Sequence, residues 1–247
     1  MSAEIFIGCA GWSIQRQLQG LFLSSGTHLE RYAQSIPAVE INSSFYRPHQ
    51  TKTYARWAAS APATFRFAVK CPRTITHDLR LRDFHQPLEQ FVSEVQGLGP
   101  KLGPVLVQLP PSLKFDEPSV EVFFSTLRGQ LSSPVVCEPR HATWFSPRAE
   151  GVLKEYSVAR VAADPPPCGS ESQLPGGWTG LRYFRLHGSP RMYYSAYSDD
   201  YLRNLAERLT ADSRSSEVWC IFDNTAAGAA LENAIELISR IAEPARV

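Results

Sequence analysis

Short apolar runs recur along the chain, and most give way to a stretch where apolar residues return every three or four positions. The runs are "IFIGCA" (5–10), "AVEIN" (38–42), "FRFAVK" (65–70), "PVLVQL" (104–109), "PVVCE" (134–138), "VARVAAD" (158–164), "RYFRLH" (182–187) and "EVWCIFDN" (217–224). The intervening stretches, such as "TKTYARWAAS", "FHQPLEQFVSEVQGL", "DDYLRNLAERLTA" and "AGAALENAIELISRIA", have the period of amphipathic helices. Eight strand-like runs alternating with helices over residues 1–247 predict an α/β fold, a TIM-like (β/α)8 barrel in a single domain. A doubly wound open sheet is the alternative. One unit departs from the pattern: residues 165–181 are rich in Pro, Gly and Ser and have no helical period, which predicts a long irregular loop in place of the sixth helix.

Side chains alternate between the two faces of a strand, so parity at the carboxyl ends predicts which polar groups meet at a barrel mouth. Glu40 and Asn42 share a face opposite Val39 and Ile41, and Lys70 shares one with Ala68. The later runs offer Gln108, Glu138 with Arg140 and His141 just beyond, Asp164 on the parity of Ala162, Arg185 with His187, and Asp223 beside Asn224. Polar strand ends are common where loops begin, and internal ion pairs are often purely structural. The collection is nevertheless larger than loop initiation requires. A buried carboxylate needs a partner, so Glu40 and Glu138 are expected to pair with Lys70, Arg140, Arg185 or a ligand.

Composition narrows the class. Apolar residues make up 43% and charged residues 20%, enough for a sizeable core, and a net charge of +1 gives no global electrostatic case for nucleic acid. The five cysteines lack the close spacing of zinc or redox motifs and read as structural thiols. Neither a leader-like opening nor a membrane-length apolar run is seen, so the expected compartment is the cytoplasm, with no membrane partner.

The blocks "GCAGWS", "VEINSSFYR", "FRFAVKCPRTITH", "VLVQLPPSLKFD", "VVCEPRHATWF", "YFRLHG" and "IFDNTAAGAALENA" come in an order and spacing that resemble the YecE-like family, domain of unknown function 72. The resemblance covers nearly the whole chain and implies a TIM-like barrel. It implies no assigned activity. The chain departs from the family pattern after "GW", where it reads "SIQRQLQGLFLSS", and at Asp223–Asn224, where members often carry two asparagines.

Serine-nucleophile elbows and Walker or dinucleotide glycine loops are absent. The residues instead combine both signs of charge. Arg140 and Arg185 suit an anion clamp, and Glu40, Lys70, Glu138, Asp164 and His187 are the candidate catalytic acids and bases. Trp12, Asn42, Phe45, Tyr46, Gln108, His141, Trp144 and Asn224 join the two arginines as candidate substrate-binding residues, although each aromatic has packing of the rim as its simpler role. The expected function is an enzyme using acid–base chemistry on a small anionic or phosphorylated, hydroxylated substrate. No cofactor is required by this reading, and a divalent metal serving a hydrolase or isomerase is left open as an alternative. The other alternative is a non-catalytic protein that binds nucleic acid or another ligand, suggested by the mixture of Arg, His and aromatics in "RHATWF" and "FYR".

Overall fold

The computed structural model describes residues 3–242. Its strands are β1 (Ile5–Ala10), β2 (Ala38–Ile41), β3 (Arg66–Lys70), β4 (Leu102–Gln108), β5 (Val135–Glu138), β6 (Val158–Arg160), β7 (Ala162–Asp164), β8 (Gly176–Gly177), β9 (Leu181–Leu186) and β10 (Glu217–Phe222). Its α-helices are α1 (His28–Ala33), α2 (Thr51–Ala59), α3 (His85–Val95), α4 (Glu117–Gln130), α5 (Pro147–Glu155), α6 (Asp199–Asp212) and α7 (Ala229–Ala242). Each helix falls where the three-to-four residue period places one.

The strands form one sheet in the order β7-β9-β10-β1-β2-β3-β4-β5-β6-β8, so β1 lies at its centre, paired in parallel with both β2 and β10. The two ends of this sheet almost meet. β6 pairs with β5 and β7 pairs with β9, yet only Val161 separates β6 from β7, and its N–H donates to Cys137 O at 2.8 Å. The result is a nearly closed, barrel-like sheet of ten short strands, with helices outside it. The tiny β8 runs antiparallel to β6. Residues 165–180 contain that strand and a 3-10 turn at Ser170–Gln173, with no α-helix. Arg160 fastens this connection through Glu171 O at 3.1 Å and Leu174 O at 3.3 Å, while its Nε meets Glu150 of α5 at 3.2 Å.

Two apolar cores follow from strand parity. Outward residues such as Val39, Phe67, Val105, Val107 and Val135 pack beneath the helices with Leu88, Phe91, Phe123 and Leu127. Inward residues Phe6, Ala38, Ala68, Leu106, Val136, Ala159, Val161, Tyr183, Trp219 and Ile221 fill the inside of the sheet. The Trp219 indole lies 4.8 Å from the Phe6 ring and reaches so near Gly103 that a Cβ there would sit 2.7 Å from it. A register shift between β3 and β4 accompanies this approach, and it lies upstream of Leu106 and Gln108, so their inward parity survives. Above the apolar layer, the same inward parity continues into charge.

Candidate functional site

Arg185 occupies the middle of the upper layer. It projects inward from β9 two residues after Tyr183, is 0% exposed, and has all five N–H groups engaged. Nε and Nη2 grip Glu40 of β2 at 3.1 and 2.8 Å, Nη1 meets Glu138 of β5 at 2.5 Å and Gln108 of β4 at 3.5 Å, and Nη2 also reaches Asp223 at 3.1 Å. Tyr183 adds a hydroxyl to Glu40 at 2.9 Å. One guanidinium thus ties together four other strand ends.

A second ring of bonds lies beside the first. Arg140 donates twice to Glu138 Oε1, at 2.9 and 2.7 Å, and His187 stands between Asp223 (Nδ1, 3.0 Å) and Glu138 (Nε2, 3.3 Å). Burial alone would raise the carboxyl pKa of Glu138, but Arg185, Arg140 and His187 hold it well below the usual range. Asp223 follows the same balance, with burial outweighed by Arg185 and His187. Burial opposes the charge on His187 as well, yet Glu138 and Asp223 raise its pKa above 6.5. With His187 protonated, four cationic groups, Lys70, Arg140, Arg185 and His187, face three carboxylates, Glu40, Glu138 and Asp223.

Lys70 is the exception in this bonded layer. It is 5% exposed, and among the described residues its ammonium makes no hydrogen bond and no ion pair within 4.0 Å. Its Nζ instead lies 4.1 Å from the centroid of the Phe45 ring. Burial first, and Arg185 second, lower its pKa to about 8 against the pull of Glu40, Glu138 and Asp223. His77, in the π-helical turn Thr74–Asp78 that follows β3, packs edge-on with Phe45, its ring centroid 5.0 Å away. Burial, Lys70, Arg73 and Arg140 push its pKa down to about 4.

The expected convergence thus holds for Glu40, Lys70, Gln108, Glu138, Arg140, Arg185 and His187, with Phe45 beside them. Arg185 is corrected in one respect: its donors are taken up by three carboxylates and the Gln108 amide oxygen, so it organises the layer and has none left for an anion. Asp164 is corrected in position. Ala159 and Val161 face inward while Ala162 belongs to the outer core, so Asp164, on the parity of Ala162, turns away from the mouth toward Gln173, 3.4 Å from its Oδ1. Trp144 is wholly buried, donating its indole N–H to Leu113 O at 2.9 Å and packing on Phe115, so it walls no cleft. Asn224 has the parity opposite to Asp223 and fastens Ser195 O and Asn233 at 2.9 and 3.0 Å.

His141 caps the 3-10 turn Ala142–Phe145, its Nδ1 accepting the N–H of Thr143. Trp12 packs edge-on against Trp57 of α2 at 5.1 Å, and Tyr46 is exposed on the rim. Asn42 begins the turn after β2, and its Oδ1 is buried with no hydrogen-bond partner among the described residues.

Several residues were missed. Tyr183 carries the same parity signal as Arg185, and Asp223, read from the sequence as a strand end, has no role there although it binds both Arg185 and His187. Tyr193 lay in an unpatterned loop; its backbone has φ 68°, and its ring stands 5.8 Å from that of His187. A cavity of about 240 Å³ opens between the loop after β1 and the start of α7, lined by Cys9, Ala10, Gly11, Ser13, Gln15, Thr225, Gly228, Ala230 and Leu231, with no charged side chain in its wall among the described residues. Ala10 is in register with Glu40, and Thr225 lies two residues beyond Asp223, so the cavity opens at the same end of the sheet as the charged layer. Gly228 has φ 89°, and the Gln15 amide occupies the space a Cβ would need there.

Metal ligation is not favoured by the donor set. Among the described residues no group of three His, Cys, Asp or Glu side chains is arranged for a metal ion, and the carboxylates that approach one another already accept from Arg185. No helix of the described residues is long and apolar enough to cross a membrane.

Comparison with known proteins places this geometry in a family. UPF0759 protein YecE of Escherichia coli (strain K12) is 30% identical over 170 residues, 66% of this chain and 60% of that protein. The chain therefore spans less than two thirds of that relative. UPF0759 protein YunF of Bacillus subtilis (strain 168) is 25% identical over 95% of this chain and 93% of its own length. Among solved structures, a DUF72 family protein from Enterococcus faecalis V583 superimposes with a TM-score of 0.81 at 22% identity, covering 98% of this chain and 96% of that one. Another from Thermotoga maritima MSB8 gives 0.79 at 24% identity, with 97% and 99% covered. These structures share the fold. The family model described as "Protein of unknown function DUF72" matches residues 6–247, and the chain belongs to that family.

Proposed function

We propose that the chain is a single-domain (β/α)8 barrel and a small-molecule enzyme, using acid–base chemistry on a small anionic, hydroxylated substrate at its mouth. The barrel reading is supported by counting Val158–Asp164 as one strand interrupted at Val161 and β8 as an added edge, which leaves eight parallel strands. The functional reading rests on one observation: in a layer where each carboxylate is bound to a guanidinium, Lys70 alone has no bonding partner. Its pKa is lowered to about 8, which favours the neutral amine, while that of His187 is raised above 6.5, which favours the imidazolium, so one site holds an acceptor and a donor.

His187, oriented by Asp223 and Glu138, is the proton donor of this pair, and Lys70 in its neutral form is the acceptor. Glu138 and Asp223 are held ionised and act by orienting His187 and stabilising its charge. The excess of cationic groups, with the unengaged Nη1 of Arg140 at the rim, favours an anion. Ser13, Gln15 and Thr225 offer hydrogen bonds to hydroxyls from a cavity at the same end of the sheet.

Thermal-shift screening of glycolate, glycerate, sugar phosphates and nucleotides tests this reading. A ligand at 100 times its dissociation constant stabilises the native state by about 2.7 kcal/mol, a rise of roughly 5–10 °C for a chain of this size. The expected result is a rise with a small hydroxylated anion that Lys70→Met abolishes. A response to oligonucleotides alone would transfer the site to the nucleic-acid alternative.

A further inference from the structure

Lys70 is unlike the other four lysines of the chain. Lys52, Lys114 and Lys154 are exposed, and Lys101 donates its ammonium to the carbonyls of Ala58 and Ala61 at 2.6 Å each. Lys70 is buried, and its backbone is fixed where β3 ends by Ser44, whose hydroxyl donates to Lys70 O at 2.6 Å. The face of Phe45 bounds one side of its amine. Glu40, Glu138 and Asp223 all turn to Arg185, and among the described residues no carboxylate comes within 4.0 Å of the Lys70 ammonium.

We propose that Lys70 is a covalent catalyst, whose Nζ forms an imine with a substrate carrying both an aldehyde or ketone carbonyl and an anionic group, as a 2-oxo acid does. This rests on the reading of the mouth as a small-anion site and adds the electrophile that the anion carries. A structural lysine in a barrel interior is ordinarily held by an acceptor; this one is held by packing and left with its lone pair available on deprotonation. A pKa of about 8 leaves roughly a tenth of the side chain neutral at pH 7, against about one part in a few thousand for an ordinary lysine.

The step balances without a redox partner. The neutral amine adds to the carbonyl carbon, the former carbonyl oxygen takes a proton, and one N–H proton of the resulting carbinolamine passes to the hydroxyl, which leaves as water to give a protonated C=N bond. His187, between Asp223 and Glu138, is the donor in the same layer, and Arg140 at the rim matches the substrate's anionic group.

Borohydride trapping tests the proposal on the whole chain. Wild-type protein is treated with glyoxylate or pyruvate and sodium borohydride at pH 7, and reduced adducts are mapped to individual lysines by peptide mass spectrometry. The expected result is labelling of Lys70 at least ~10-fold faster than of Lys52, Lys114 and Lys154, because its free-amine fraction is larger. Lys70→Arg, which keeps the charge, should remove that fast adduct and leave the surface labelling unchanged. The wild-type map stands even if the variant folds poorly. Labelling of Lys70 no faster than the exposed lysines overturns the proposal. Glycolate and lactate, which lack the carbonyl, separate the two readings. If they raise the melting temperature while Lys70 is not trapped, the imine falls and the anion site survives; if neither the hydroxy acids nor the oxo acids bind, both fall.

Discussion

The same strands build two layers with opposite chemistry. In the lower one, Ala38, Ala68, Leu106, Val136, Tyr183, Trp219 and Ile221 interlock as an apolar plug. Two residues further along the same strands, Glu40, Lys70, Gln108, Glu138, Arg185 and Asp223 stand on the same inward face, as charged or amide groups. The plug is held by burial, whose strength depends little on pH. The upper layer is held by one guanidinium whose contribution exists only while its partners remain ionised. A core needs no unpartnered amine, and Lys70 is therefore the feature that separates a site from a purely structural ion cluster.

Changes in the two layers should behave differently. The largest effect is expected from Arg185→Met, which strands Glu40, Glu138 and Asp223 without their common partner and should cost at least about 3–5 kcal/mol in urea unfolding. A cost below about 1 kcal/mol would mean that the cluster is solvated and not bonded as described. Leu106→Ala in the plug should cost about 2–5 kcal/mol, yet leave ligand-induced thermal shifts in place.

Lys70→Met should do the reverse. An ammonium disfavoured in the fold is removed, so stability at pH 7 should rise by about 1–3 kcal/mol while the ligand response disappears. Because the folded pKa of about 8 lies below the ordinary lysine value of 10.5, the unfolded chain binds the extra proton, and wild-type stability should recover between those pH values. The gain from Lys70→Met should fade over the same interval.

The pH profile of the wild type sharpens the contrast further. Glu138 and Asp223 are depressed in the fold, so their contribution is present above their ordinary values of 4.5 and 3.8 and is lost as pH falls through the lower folded values. His187 is raised, so its contribution is present below 6.5 and is lost as pH rises through the folded value. Urea titrations should show both limbs, and Arg185→Met should flatten the acid one. The smallest effect belongs to Asp164→Asn: on the outer side of the sheet, it should leave ligand-induced shifts unchanged.

Much of the charged layer was legible because a pleated strand enforces parity, and an apolar residue two positions earlier marks the inner face. Glu40 after Ala38, Lys70 after Ala68 and Arg185 after Tyr183 are read in this way. The rule failed where the polar face is the outer one. In "VARVAAD" Arg160 and Asp164 share the parity of Ala162, and that face turns outward, where Arg160 meets Glu150, while the apolar Ala159 and Val161 point inward; a polar strand end there does not mark the mouth. Beyond the strand ends parity lapses, which is why Trp144 and Asn224 were taken for lining residues although they brace the loops. His77 reaches Phe45 from a π-helical turn, a geometry with no periodic mark in sequence. The alternation of strands and helices was plain throughout, whereas the break at Val161 was not, because it changes hydrogen-bond partners without changing composition.

The state of Lys70 is the most direct test, and it needs no substrate. Lysines labelled with carbon-13 at Cε can be titrated by NMR, with the Lys70 signal assigned by its loss in Lys70→Arg. A midpoint of about 8, apart from the four other lysines, is expected of an amine held in the mouth without a bonding partner. A midpoint at or above the ordinary 10.5 would show a stably paired ammonium, and the upper layer would then be an ion cluster with no group set aside for chemistry.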